Sequence, residues 1–171
     1  MSIEPDTKDW TWVLQRRCPE CGFDASTVSV PEAADLVRDN AARWPAVLGR
    51  QDARERPSPD RWSPLEYGCH VRDVFRLFDR RLHLMLDDDD PLFANWDQDE
   101  AALADRYAEQ DPAVVSDQLL AAAEAMAASL DAVRPDQLGR CGRRSDGARF
   151  TVETFARYLI HDPVHHLWDV R

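Results

Sequence analysis

One helix start signal is written twice in this chain, and it limits the fold more than any other feature. Ser29-Val30-Pro31-Glu32 and Ser63-Pro64-Leu65-Glu66 each supply a serine that can cap, a proline in the first turn and a glutamate that can close a capping box. Behind the first signal, Ala33, Leu36, Val37, Trp44 and Leu48 recur at helical spacing until Gly49. Behind the second, Tyr67, His70, Val71, Val74, Phe75, Phe78, Leu82 and Met85 lead to an acidic exit at Asp87 to Asp90, expected to be solvated and disordered. A third long helix is expected from Asp111-Pro112 to Val133, where Pro135 forbids continuation. A shorter helix is expected over Asp97 to Tyr107, and a last one from about Thr151 towards Arg171.

Four amphipathic helices with moderate connections make an all-α, up-and-down four-helix bundle the expected architecture. The bundle is expected over residues 29–171, with residues 1–28 as an N-terminal arm carrying Trp10, Trp12 and a cysteine pair. Gly139 to Phe150 reads as a loop with a short extended piece. With 21 basic and 32 acidic residues the net charge is −11, a field that repels phosphate backbones and anionic membranes. No nucleic-acid or membrane partner is therefore expected, and no stretch reads as a membrane span. The first ten residues lack a basic start and an apolar run, and the cysteine usage suits a reducing cytoplasm. No motif for a nucleotide cofactor or a Ser-His-Asp triad is present.

The chemistry gathers in the last helix. His161 and His165 stand one turn apart on one face, so two imidazoles can converge on one ion. On a helical wheel they lie away from the apolar face formed by Val152, Ala156, Leu159, Pro163, Leu167 and Val170, in company with Tyr158 and Asp169. Exposed histidines placed by chance are the bland alternative. His70, near the start of the second helix, supplies a third ligand, and three imidazoles plus water is an open, reactive coordination. Asp73, Asp162 and Asp169 are candidates to orient the imidazoles through their second nitrogens, and His166 is expected to pack beside them. Pro163 removes the backbone hydrogen bond to the Leu159 carbonyl, at about 3 kcal/mol in an ordinary helix. Either the helix bends there to aim side chains, or it breaks at Asp162 and the ligand geometry fails.

Trp62-Ser63-Pro64-Leu65-Glu66 with His70 just beyond, and a last-helix HxxxH followed by His166, resemble DinB-like proteins. The resemblance runs from about Pro31 to Arg171. That superfamily includes mycothiol-dependent maleylpyruvate isomerases and related thiol transferases. It implies a four-helix bundle holding a divalent metal through His70, His161 and His165, with zinc first and nickel or iron as alternatives. It further implies a small-molecule substrate, attacked by a metal-bound thiol or water, with a low-molecular-weight thiol as a second cofactor. A non-catalytic metal-binding bundle acting as sensor, store or interaction module is the alternative, and a homodimer is left open.

Cys18-Pro19-Glu20-Cys21-Gly22 has the form of half a zinc ribbon, which makes Cys18 and Cys21 candidates for a second zinc site. Two further ligands are needed, and Cys69 and Cys141 stand singly. A turn with two reduced cysteines is the plainer reading. Trp62 can act as a hydrophobic staple, Trp96 can rim a pocket, and Arg140, Arg143, Arg144 and Arg149 can balance acidic surface or receive a carboxylate.

Overall fold

A computed structural model describes residues 9–171. Residues 1–8, the start of the expected arm and of the stretch read as lacking a secretory signal, lie outside the described residues. Six α-helices follow the arm: α1 (Val30–Ala41), α2 (Trp44–Leu48), α3 (Pro64–Asp87), α4 (Gln98–Ala104), α5 (Pro112–Asp131) and α6 (Val152–Asp169). A two-stranded antiparallel hairpin, β1 (Cys141–Arg143) and β2 (Arg149–Thr151), precedes α6.

Both capping boxes form. Ser29 and Ser63 accept from the backbone of Glu32 and Glu66, whose carboxylates accept from the serine backbone in return. Trp62 packs against Tyr67 across the start of α3, ring centroids 5.5 Å apart, as a staple should. Asp97 and Asp111 cap α4 and α5, and Thr151 caps α6. The helix expected to run unbroken to Gly49 instead ends at Ala41. The cause is Pro45, whose ring would collide with the carbonyl four residues back, at Ala41.

The four long helices close a ring. Helix α1 lies against α5 and α6, and α3 lies against the same two. Ring order is therefore not chain order: the successive long helices α1 and α3 sit on a diagonal, and α2 packs on α3 and α5 within the connection between them. Gly68 belongs to that contact, because a Cβ there would stand 2.9 Å from Leu48 Cδ2. The core joins Val37, Phe75, Leu119, Met126, Phe155 and Leu159, all buried. Helix α5 is, by length and composition, apolar enough to cross a membrane, which corrects the expectation that no stretch would qualify. In this bundle its buried residues, among them Val115, Leu119, Met126 and Leu130, serve the packing against α1 and α3, while Val114 and Leu120 are exposed.

The acidic end of α3 is tied down, contrary to the expected disorder. Arg140 donates to the carbonyls of Met85 and Asp88, supplying the positive charge that the helix terminus lacks. Asp90 pairs with Arg143 at 3.1 Å and with Arg149 at 3.5 Å. Three of the four hairpin arginines are thus spent on the exit of α3.

Candidate metal centres

Helix α6 carries two i,i+4 pairs, His161/His165 and Asp162/His166, offset by one residue. One residue is about 100° of helix rotation, so the pairs look out over different neighbours. Towards the arm, Cys18 and Cys21 meet His161 and His165, with all four ligand atoms within 4.8 Å of one another. Towards α3, His70 meets Asp162 and His166 within the same limit. The structure therefore divides the expected set of three histidines. His70 instead meets Asp162 and His166, one step along α6 from the expected ligands.

In the cluster towards α3, the first of the two centres, His70 is 1% exposed and held between Trp62 and Trp96, whose rings lie 5.3 and 5.6 Å from its own. Its Nε2 stands 3.5 Å from Asp162 Oδ2, and His166 Nε2 stands 3.7 Å from the same oxygen. These separations are long for hydrogen bonds and suit two ligands of one tetrahedral ion, whose edge is about 3.4 Å for bonds of ~2.0–2.2 Å. Asp162 Oδ1 and His70 Nδ1 are buried with no hydrogen-bond partner among the described residues. His166 Nδ1 lies 2.9 Å from Asp169 Oδ2; a carboxylate only accepts, so Nδ1 carries a proton, and Nε2 is the nitrogen that would ligate a metal in exchange for its own proton.

The electrostatics agree. Burial disfavours a charged Asp162, yet the imidazoles of His166 and His70 hold its carboxyl far below the usual range. Burial also disfavours a charged His166, but Asp162 and Asp169 push it up to about 9. Two carboxylates around one imidazole draw positive charge to this point, as a proton or as a metal ion.

In the second cluster Cys18 Sγ lies 3.7 Å from His165 Nδ1, and Cys21 Sγ 3.8 Å from His161 Nε2. A tetrahedral zinc with Zn–S of ~2.3 Å and Zn–N of ~2.0–2.1 Å has a sulfur-to-nitrogen edge of about 3.6 Å. The cysteine turn is closed by Gly22 N donating to Cys18 O and Cys18 N donating to Phe23 O, with Gly22 at φ +75°, a conformation that side chains disfavour. Burial, with His165 alongside, pushes His161 down to about 4, and burial also lowers His165. Both imidazoles are therefore neutral, the form that ligates. Burial raises the Cys21 thiol to about 11.

Helix α6 runs through Pro163 without a break. Asn40 of α1 donates to the Pro163 carbonyl at 2.8 Å, which ties this part of α6 to the bundle. Asp73, expected to orient an imidazole, does not. It pairs with Arg72 and accepts the Tyr107 hydroxyl instead. Asp169 does orient one, but it is His166, and Tyr158 accepts from Arg144. Cys69 and Cys141 are free thiols outside both clusters.

A cleft of about 450 Å³ opens over the first cluster and also borders His161 and His165 of the second. Trp96, Arg81, Arg144 and Trp10 line it together with His70, Asp162 and His166, so Trp96 is a pocket wall. Burial, and Arg144 nearby, press the Arg81 guanidinium down to about 10, and no carboxylate among the described residues pairs with it. Arg81 stands in no sequence motif, and Trp10 is marked in the sequence only as part of the arm, not as a cleft residue.

No curated protein matches this chain in sequence. A solved structure matches it in fold: YfiT from Bacillus subtilis, described as a probable metal-dependent hydrolase with an unusual four-helix bundle topology. The two share 14% identity with a TM-score of 0.69, over 99% of this chain and 91% of that one. The family model of the DinB superfamily matches residues 33–170, a span that holds all four long helices except the first turn of α1 and leaves the cysteine pair outside. This chain belongs to the DinB superfamily.

Proposed function

We propose that this protein is a metal-dependent enzyme acting on a small molecule in the cleft, with His70, Asp162 and His166 as the ligands of its metal. The observation that carries the reading is the convergence of three ligand atoms beneath the cleft, one of them on a carboxylate whose second oxygen is buried and unpartnered. Three protein ligands leave a fourth position open, as in catalytic rather than structural sites. When bound there, a divalent ion would lower the pKa of a water or small thiol in that position and make it nucleophilic at neutral pH.

The chain's own residues set the rest. Asp169 fixes the His166 tautomer, and Trp62 and Trp96 hold the His70 ring and keep bulk water from it. Arg81 offers a guanidinium group to an anionic part of the substrate, beside Arg144, which is paired with Asp146. Two imidazoles and a carboxylate suit zinc in hydrolytic sites and iron in open ones, and nickel shares the preference for imidazole. The description of YfiT supports water as the nucleophile, whereas the resemblance to mycothiol-dependent isomerases supports a thiol.

Cobalt substitution tests the proposal. Azide, or a small thiol, is expected to change the visible spectrum of the wild-type protein, and that response is expected to vanish in His70→Ala. A response to thiol but not to azide favours thiol transfer. Bound cobalt that responds to neither would overturn the enzymatic reading in favour of a store or sensor.

A further inference from the structure

We propose that Cys18, Cys21, His161 and His165 form a second, closed zinc site that fastens the N-terminal arm to α6. Two thiolates and two imidazoles are the donor set of structural zinc. Here they come from segments 140 or more residues apart in sequence, and their ligand atoms all lie within 4.8 Å of one another. The two sulfur-to-nitrogen distances, 3.7 and 3.8 Å, fall close to a tetrahedral edge. Gly22 allows the tight turn that points both sulfurs the same way.

The number of protein ligands, four against three, separates this site from the first, although His161 and His165 also border the cleft. Cys18, His161 and His165 are 1%, 4% and 7% exposed, and Trp10 covers both imidazoles with ring centroids 5.6 and 5.3 Å away. Four protein ligands fill a tetrahedral ion and leave no position for substrate. Two thiolates also neutralise a divalent cation, so the filled site carries no net charge into a buried place. Binding releases the two thiol protons to solvent.

The site has a consequence for the cleft. Trp10 lies on the covered side of the zinc site and also lines the cleft over His70, Asp162 and His166. Ordering the arm on α6 therefore completes a wall of the proposed active site. The cysteines precede the family-matched segment, which makes this staple an addition to the bundle.

The test uses full-length protein produced without a histidine tag. Cobalt-loaded wild type is expected to show an intense thiolate-to-cobalt charge-transfer absorption. His70→Ala is expected to keep it, and the double variant Cys18→Ser, Cys21→Ser to lose it together with one equivalent of metal. Absence of the absorption in metal-loaded wild type, or its survival in the double variant, would overturn the proposal. Should the double variant not fold, alkylation of wild type with mass mapping decides. Protection of Cys18 and Cys21 that chelator abolishes is the expected result, and equal reactivity with and without chelator would contradict it. Because only a thiolate gives this absorption, the outcome is independent of whether His70, Asp162 and His166 hold a metal.

Discussion

His166 donates its Nδ1 proton to Asp169 Oδ2 at 2.9 Å, which turns its Nε2 towards Asp162, 3.7 Å from Oδ2. A carboxylate behind a ligating imidazole fixes its tautomer and strengthens it as a donor, and losing such a partner typically costs about 10–100-fold in metal affinity. Asp169→Ala is expected to weaken binding at the open site by that factor in a chelator competition. It should leave thiolate-ligated metal in place. Unchanged affinity would show that Asp169 merely packs.

Asp73 marks the contrast. Its carboxylate is held by the buried Arg72 and by the Tyr107 hydroxyl, at 2.8 and 2.7 Å. Removing one member of a buried pair costs roughly 3–5 kcal/mol when the other is stranded. Arg72 keeps Asp105 at 3.0 Å, so Asp73→Ala is expected to cost on the order of 2–3 kcal/mol in denaturant unfolding. Metal content should not change, and a loss of metal would return Asp73 to the site.

The buried Glu66 makes stability depend on pH. Burial alone would raise its pKa, but hydrogen bonds from Arg56 and from Ser63 bring it below the ordinary glutamate value. A carboxyl depressed in the folded state contributes its full stabilisation above the unfolded pKa of about 4.3, and loses it as pH falls through the folded value. Glu66→Gln is therefore expected to melt below wild type at neutral pH, with the gap closing as pH falls below the unfolded value of about 4.3. A gap independent of pH would mean that shape, and not charge, is what Glu66 supplies.

Asn40 serves α1 and α6 together. Its amide donates to the Pro163 carbonyl while its oxygen accepts the Trp44 indole at 3.0 Å. Asn40→Ala leaves the fully buried Trp44 without an acceptor, an expected cost of about 1–3 kcal/mol by thermal or denaturant unfolding. Stability within experimental error of wild type would contradict that accounting.

The helices were legible because their starts are local chemistry. Ser29, Ser63, Asp97, Asp111 and Thr151 each announce a cap, and apolar spacing carries the pattern onward. The break at Ala41 was also local but went unread, since Pro45 was passed over within an apolar pattern. Ring order was not legible, because diagonal placement of α1 and α3 depends on how faces pair across the bundle. The sequence points to α6, His70 and the cysteine pair, and the structure gathers those residues into two clusters. Their partition was not legible, since one residue of helix rotation decides whether His70 meets His165 or His166. A wheel reading leaves His161 and His165 either in solvent or along a polar cleft, because it omits the arm that covers them. The missing half of the zinc ribbon was in view as a histidine pair, but no spacing rule links residues 18 and 165.

The central claim is that one helix serves two metal centres on adjacent faces. Anomalous scattering from a crystal of metal-loaded protein tests it most directly. Two peaks are expected, one among Cys18, Cys21, His161 and His165 and one among His70, Asp162 and His166. A single peak shared by His70, His161 and His165 would contradict the account.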